Sequence, residues 1–267
     1  MIKIIIPNTS LVVSKFIFGT SRLHKIFSKK ERYNILKCAV DNGFTHFDTA
    51  PYYGFGLAET SLKEILKENS NLTITTKVGL YSPGGSNQNI SSIGMRKISG
   101  KLFTKFSKPI VNFTINQAEK SLEENLNRLG KDCLDIFMLH EPSIDLLSTD
   151  EWKIWLENLI KKGKIKFYGL ALNSKNLKTF IDKNDKKLFN ILQIEDSLSK
   201  KEADILKDNN LPFQITYGYF SKEKIILDFQ NVIKKILSRN STGAIIVSSL
   251  KQNHIEELSR STEKIND

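Results

Sequence analysis

A carboxylate and a phenol stand five residues apart in the run Phe47-Asp48-Thr49-Ala50-Pro51-Tyr52-Tyr53-Gly54-Phe55-Gly56-Leu57-Ala58-Glu59. Gly43 to Phe47 alternates in polarity and reads as a strand, while Leu57, Ala58, Leu62, Ile65 and Leu66 recur at helical spacing. Asp48 and Tyr53 are therefore expected on a strand-to-helix loop. In a barrel of parallel strands such loops line the carboxyl-end face, where active sites gather, and this pair there suits proton transfer. An Asp-x4-Tyr spacing by itself is a weak signal. Turn segments rich in Pro and Gly produce it by chance, and Asp48 would equally serve as a cap for the next helix with Tyr53 packed over it.

Two further side chains with chemistry end apolar runs. Lys77 follows Leu72-Thr73-Ile74-Thr75-Thr76, and His140 follows Leu134 to Leu139. A lysine in that position points into the mouth or snorkels, and an ion pair with Asp48 is the economical way to hold both. A lone strand-end histidine is more often a structural residue. The last residue or so of each candidate strand gives Thr20, Asp48, Lys77, His140, Asn173, Gln193, Tyr217 and Ser248, a nearly complete ring of hydrogen-bonding groups that a barrel floor would not need.

The elements that must position this ring repeat along the chain. Candidate strands fall at Val13–Gly19, Thr45–Asp48, Leu72–Lys77, Cys133–His140, Ile165–Leu170, Ile191–Ile194, Phe213–Tyr217 and Gly243–Val247, each followed by a helical pattern. Capping boxes mark helix starts at Ser28/Glu31, Thr114/Gln117, Ser148/Glu151 and Ser199/Glu202. The third helix shows Ile115, Ala118, Leu122, Leu126 and Leu129 on one face, with Gly130 placed to end it. Eight alternating strand–helix units give parallel strands with right-handed crossovers and close most naturally into a (β/α)8 barrel of the α/β class. Ile2–Ile6, with Asn8 as turn former before Val12, is expected as a small N-terminal hairpin plugging the barrel floor. Leu80 to Phe113 breaks the rhythm after the third strand. It carries Pro83-Gly84-Gly85 and reads as a long loop over the mouth, with a short helix near Ile98–Phe106. No linker or low-complexity tract interrupts residues 1–267, which are expected to form a single domain.

Composition narrows the class. A chain of 267 residues with 40% hydrophobic content can bury one large core. No apolar stretch reaches the roughly 20 residues of a membrane span, and the start Met1-Ile2-Lys3-Ile4-Ile5-Ile6-Pro7 is too short for a signal-peptide core. A soluble, cytoplasmic protein is expected. Cys38 and Cys133 show no C-x-x-C spacing and are expected as buried free thiols. The four histidines, His24, His46, His140 and His254, lack H-x3-H or H-E-x-x-H spacing, so no metal site is expected. The net charge of +11 comes from lysines dispersed along the chain, with no basic motif interleaved with aromatics. Nucleic acid and membrane are therefore not expected partners, and the field of the whole molecule would favour an anionic small ligand.

FDTAPYYGFGLAE, then Thr76-Lys77, then Leu139-His140, resembles the aldo-keto reductases, with a match over nearly the whole chain. The pattern is nearest the bacterial sugar-dehydrogenase-like branch, of the aldose or threo-aldose dehydrogenase kind. The resemblance implies that Asp48, Tyr53, Lys77 and His140 form the catalytic tetrad, and that hydride moves between NADP(H) or NAD(H) and a carbonyl or alcohol: an aldehyde, ketone or sugar of carbohydrate metabolism. Tyr53 would be the proton donor or acceptor. Lys77 would lower the phenol's pKa by as much as about 3 units, taking a charge pair near 4 Å, with Asp48 orienting Lys77 and tempering that effect and His140 donating to the substrate oxygen. By the same resemblance Gln193 and Tyr217 would hold and stack on the nicotinamide, and Gly19 and Thr20 would meet the adjoining ribose. Asn173 would replace a Ser-Asn pair after the fifth strand. Ser248, Ser249 and Lys251 lead into a helix and suit phosphate, although an ordinary loop explains that stretch equally well. His254 stands where an arginine often clasps the 2′-phosphate, and Leu258 where an adenine-contacting asparagine is found.

These departures leave NAD or NADP open, with Lys251 the best phosphate partner. The chain ends soon after its eighth helix, so the segment Leu80–Phe113 is expected to replace the C-terminal tail of longer relatives. Gly54-Phe55-Gly56 is no dinucleotide fingerprint, since a third glycine would fall at Glu59. Two other classes are open: a nucleotide-binding sensor or regulatory subunit with slow turnover, and a cofactor-free lyase using Lys77 as a Schiff-base nucleophile. A monomer or weak oligomer is expected; substrate and direction are not fixed by sequence.

Overall fold

Eight parallel strands close on themselves. In the computed structural model, which describes residues 1–83, 85, 108–222 and 229–263, these are β3 (Phe16–Gly19), β4 (His46–Asp48), β5 (Thr73–Val78), β8 (Leu134–His140), β9 (Ile165–Leu172), β10 (Ile191–Glu195), β11 (Ile215–Tyr217) and β12 (Ala244–Val247), hydrogen-bonded in that order with β12 returning to β3. The expected (β/α)8 barrel is the observed fold, with strand ends displaced by up to three residues from their sequence assignments. The outer layer is carried by α1 (Lys29–Asp41), α2 (Leu57–Glu68), α3 (Ile115–Leu129), α4 (Thr149–Lys161), α5 (Ser174–Asp182), α6 (Asp204–Asp208), α7 (Tyr219–Lys222), α8 (Phe229–Arg239) and α9 (Gln252–Glu263). No helix among the described residues is long and apolar enough to cross a membrane.

The period of two along each strand sorts the core. Phe18, Phe47, Ile74, Phe137, Leu139, Leu170, Leu192 and Ile245 point outward into the layer shared with Leu36, Leu62, Leu122, Leu156 and Ile236 of the helices. Ile17, Ile136, Met138, Ala171, Ile191, Ile215 and Ala244 point inward and pack with Ile6, Leu11 and Val13. The last three belong to the N-terminal hairpin, in which β1 (Lys3–Ile5) pairs antiparallel with β2 (Val12–Ser14). The hairpin thus closes one end of the barrel with apolar side chains, as the sequence suggests.

Val13–Gly19, read from sequence as one strand, is two. The chain leaves the hairpin at Ser14 and enters the barrel at Phe16, and the residue between them is a buried lysine. Lys15 Nζ donates to the carbonyls of Asn240, Ser241 and Gly243 at 2.6, 3.0 and 2.7 Å. The break exists because this ammonium ties the first barrel strand to the turn that enters the last one. Burial lowers its pKa to about 8.

The helix starts follow local chemistry only in part. Ser28 accepts from the Glu31 N–H as its box requires. Thr114 and Ser148 occupy N-cap positions without a side-chain cap bond, and Thr114 instead donates to Asn112 Oδ1. The Ser199/Glu202 box does not start a helix: Glu202 accepts from Ser197 Oγ, whose oxygen also accepts from Lys200 N–H, and α6 begins later at Asp204. Gly130 ends α3 at φ 65°, in the left-handed region that glycine adopts without strain. Cys38 and Cys133 are free but half-buried rather than buried.

The base of the long segment after β5 is ordered. β6 (Leu80–Tyr81) pairs antiparallel with β7 (Ile110–Val111), and Trp152 Nε1 donates to Phe113 O at 3.0 Å, fastening the segment's return to α4. The short helix expected near Ile98–Phe106 lies outside the described residues.

Replacing Lys15 by methionine strips the donor from three carbonyls at once. A loss of about 1–3 kcal/mol in unfolding free energy, the cost of leaving buried acceptors unsatisfied, is expected in urea titration. An unchanged midpoint would mean that Lys15 does not tie the barrel closed.

Candidate active site

The inward positions at the carboxyl ends of the strands continue the period of two: Ile17 leads to Gly19, His46 to Asp48, Thr75 to Lys77, Met138 to His140, Ile191 to Gln193, Ile215 to Tyr217 and Ile246 to Ser248. The register places Gly19 beside Asp48, Asp48 beside Thr75, and His140 and Gln193 each beside Ala171. Side chains that are far apart in the chain therefore face one volume.

Lys77 is fully buried. Its Nζ donates to both oxygens of Asp48 at 2.7 Å, to the Thr49 carbonyl at 2.9 Å and to the Tyr53 hydroxyl at 3.4 Å. Burial works against the ammonium, but Asp48 and Tyr53 outweigh it and hold the Lys77 pKa above its ordinary value. Burial also pushes the Asp48 carboxyl up while Lys77 pulls it back. With each carboxylate oxygen taking a short bond from the ammonium, the pair is ionised.

Tyr53 comes from the loop between β4 and α2 and lies edge-on to His140, ring centroids 5.8 Å apart at 87°. Its pKa is raised, not lowered. Burial is the largest influence, and the pull of Lys77 is partly cancelled by Asp48. The sequence argument counted the ammonium and its tempering by Asp48 but not the desolvation of the phenol, which is the larger influence. Tyr53 is therefore held as the neutral phenol, a form suited to giving up a proton to a substrate. His140 is held well below its ordinary pKa by burial and then by Lys77, so its ring is neutral. Its Nδ1 has no partner among the described residues. Deeper in the barrel His46, also neutral with a pKa of about 4 through burial, bridges the Thr73 and Thr75 hydroxyls at 2.7 Å each.

Asp48, Tyr53 and His140 line a cavity of about 350 Å³ with Gly19, Gln193, Tyr217 and Ser248. A second cavity of about 610 Å³ is lined by Ser249, Lys251, His254 and Glu257 with Phe220 and Phe229. Arg22, Phe220, Val247 and Ser248 line both, so the two read as one groove running from the barrel mouth to the N-terminus of α9. Thr20 and Asn173 stand apart from the lining. The Thr20 hydroxyl donates to Asp48 O, and Asn173 caps α5, accepting from Asn176 N–H and donating to Glu141.

An extended dinucleotide fits this groove on two observations. Gln193 Oε1 is a buried acceptor with no partner among the described residues, at the mouth where an amide N–H would meet it. At the far end, α9 offers its unpaired backbone N–H groups beside Lys251, with Arg22 between. His254 stacks on Phe229 at 5.4 Å and 29°, giving the outer cavity an aromatic wall.

Sequence reasoning missed Arg22, Glu141, Phe220 and Phe229. Arg22 follows the first barrel strand by three residues and Glu141 directly follows His140, so both lay within reach of the strand-end argument. Phe220 likewise follows the end of β11 by three residues, whereas Phe229 lies away from strand ends and carried no signal.

Comparison with known proteins agrees with this geometry. The chain is 28% identical to an L-galactose dehydrogenase of Arabidopsis thaliana over 174 residues, 61% of this chain and 46% of that protein. It is 27% identical to a D-threo-aldose 1-dehydrogenase of a Pseudomonas species over 161 residues, 57% of this chain and 47% of the other. The matches thus span about half the length of these curated relatives. An aldo-keto reductase from Bacillus halodurans in its holo form superimposes with a TM-score of 0.72 at 17% identity, covering 98% of this chain and 90% of that one. One from Klebsiella pneumoniae in complex with NADPH does so at 0.66 and 14%, covering 98% and 90%. These likenesses show the shared fold. The profile of the Aldo/keto reductase family matches residues 15–213, well over half of the sequence, and the chain belongs to that family.

Proposed function

We propose that this chain is an NAD(P)-dependent oxidoreductase that moves a hydride between the nicotinamide and a carbonyl or alcohol, working as one barrel domain in the cytoplasm. The observation that carries the proposal is the convergence of a neutral phenol, a neutral imidazole and a buried ammonium–carboxylate pair on one cavity that shares its lining with a second, larger one. When bound, the nicotinamide supplies or accepts the hydride.

The chain's own residues manage the proton. Tyr53, held as the phenol, gives its proton to the substrate oxygen as the carbonyl carbon gains a hydride, and the resulting phenolate is stabilised by Lys77 Nζ at 3.4 Å. Asp48 keeps Lys77 charged and aimed. His140, as a neutral imidazole, has one N–H to offer the same oxygen and fixes it near Tyr53. In the oxidative direction Tyr53 must first lose its proton, against the burial that raises its pKa.

Gln193, Tyr217 and Gly19 would hold the nicotinamide end; Ser248, Ser249, Lys251 and the N-terminus of α9 would take the phosphates, with Arg22 where the two cavities join and His254 on the adenosine side. The polar lining of the mouth, with Asp48, Glu141, Arg22 and Gln193, suits a hydroxylated substrate, and the names of the two dehydrogenase relatives point the same way. A sugar or related hydroxy-aldehyde is the proposed substrate class. The test is a stereospecific assay with deuterated NADH and NADPH over a panel of sugars, aldehydes and ketones. Transfer of deuterium to any of them supports the reading, and absence of both transfer and coenzyme binding overturns it.

Tyr53→Phe is expected to lower kcat by about 10²–10⁴-fold while leaving coenzyme affinity nearly unchanged. Near-full kcat would remove Tyr53 from the chemistry. Lys77→Met removes the charge that pulls the phenol's pKa down, so the pH profile of alcohol oxidation is expected to move to higher pH as the rate falls. An unaltered profile would show that Lys77 does not tune Tyr53. Arg22→Ala is expected to weaken NADPH and ADP-ribose alike by about tenfold, the scale of one lost charge-assisted bond. Equal affinity to the parent would place the phosphates elsewhere.

A further inference from the structure

Glu141 is a second carboxylate in the lining of the mouth, and the proton chemistry makes no use of it. Its backbone sits at φ 51°, in the left-handed region that a residue with a Cβ seldom occupies unless its surroundings force it there. Three strand ends supply that force. Its N–H donates to Ala171 O at 2.7 Å. One carboxylate oxygen accepts from both Asn173 N–H and Asn173 Nδ2, at 3.2 and 2.7 Å, and the other from the Tyr217 hydroxyl at 3.2 Å. β9 ends in Ala171 and Leu172, which bring no polar side chain of their own, so Glu141 reaches over from β8 to bond the turn that follows and the tyrosine at the end of β11.

We propose that Glu141 is a positioning residue for the nicotinamide end of the site: by anchoring Tyr217 and the Asn173 turn together it fixes the wall against which that end of the coenzyme lies. The inference rests on the reading of the mouth as a dinucleotide site. Tyr217 has one side-chain hydrogen-bonding atom, its hydroxyl, and Glu141 holds it; the backbone is pinned separately by Asp196 N–H donating to Tyr217 O at 2.7 Å. Freed of Glu141, the ring keeps its place along the strand but loses what sets its tilt.

Calorimetric titration with NADPH and NADH, and in parallel with ADP-ribose and its 2′-phosphate, which lack the nicotinamide, separates this role from a general one. Glu141→Ala is expected to weaken the dinucleotides by about tenfold, the scale of the hydrogen bonds lost, and to leave the ADP-riboses unchanged. Tyr217→Phe, which keeps the ring and removes only the hydroxyl, is expected to weaken the dinucleotides in the same selective way. Adding it to Glu141→Ala should weaken them by less than the product of the two single effects. Tyr217→Phe also serves alone should the alanine variant fail to fold. Unchanged binding of all four ligands, equal weakening of all four, or independent effects of the two substitutions overturns the proposal. A parent protein that binds neither NADH nor NADPH instead overturns the functional reading on which it stands.

Discussion

A charged lysine with no exposure to water is the constraint around which the barrel mouth is organised. The desolvation of Lys77 must be offset, and Asp48 does so from the neighbouring strand with two bonds of 2.7 Å. Everything beside the pair holds its geometry. The N–H and hydroxyl of Thr20 both bond the Asp48 carbonyl. Asn125 Nδ2 donates to the Lys77 carbonyl, Arg128 bonds Asn125, and Arg128 Nε donates to the buried Glu59 at 2.7 Å, whose other oxygen takes the Thr76 hydroxyl. Behind the pair, then, a second buried ion pair clamps the strand that carries the lysine to α2 and α3.

The same arrangement recurs across the mouth. Asp196 is buried against Arg239 and accepts from the Tyr219 hydroxyl, while its N–H holds the Tyr217 carbonyl. Two buried charge clusters thus stiffen opposite walls, one behind β4 and β5, the other behind β10 and β11. Between them the barrel interior changes character along its axis. The floor is apolar and sealed by the hairpin; the upper layers carry His46, Thr75, Asp48 and Lys77. Low dielectric below and fixed charges above explain why Tyr53 stays a phenol although an ammonium lies within 3.4 Å of its oxygen.

Asp48 and Glu141 show how partners set the task of a carboxylate. Burial raises both. Asp48 faces an ammonium and is locked into an ion pair that bears on proton transfer. Glu141 faces an amide, a backbone N–H and a phenol, all neutral donors, and so acts as a three-way tie between strand ends.

Much of this was written in the sequence because it depends on short-range rules. Eight strand–helix repeats, the period of two that turns Asp48, Lys77 and His140 inward, the glycine stop of α3 and the apolar hairpin all follow from local pattern, and so does the placing of Gln193, Tyr217 and Ser248 at or near strand ends. What the sequence could not decide were quantities set by three-dimensional company. The break at Lys15 answers to carbonyls more than 220 positions away. Glu202 of the Ser199/Glu202 box takes the Ser197 hydroxyl, and the helix begins only at Asp204. Thr20 and Asn173, rightly placed at strand ends, spend their side chains on Asp48 O, Asn176 N and Glu141 rather than on the cavity. The protonation state of Tyr53 turned on the balance of burial, Lys77 and Asp48, and the pattern of the chain named the two charges but not the burial that outweighs them. Residue types and their periodicity are local properties; desolvation and the competition for donors are summed over neighbours that only the folded barrel brings together.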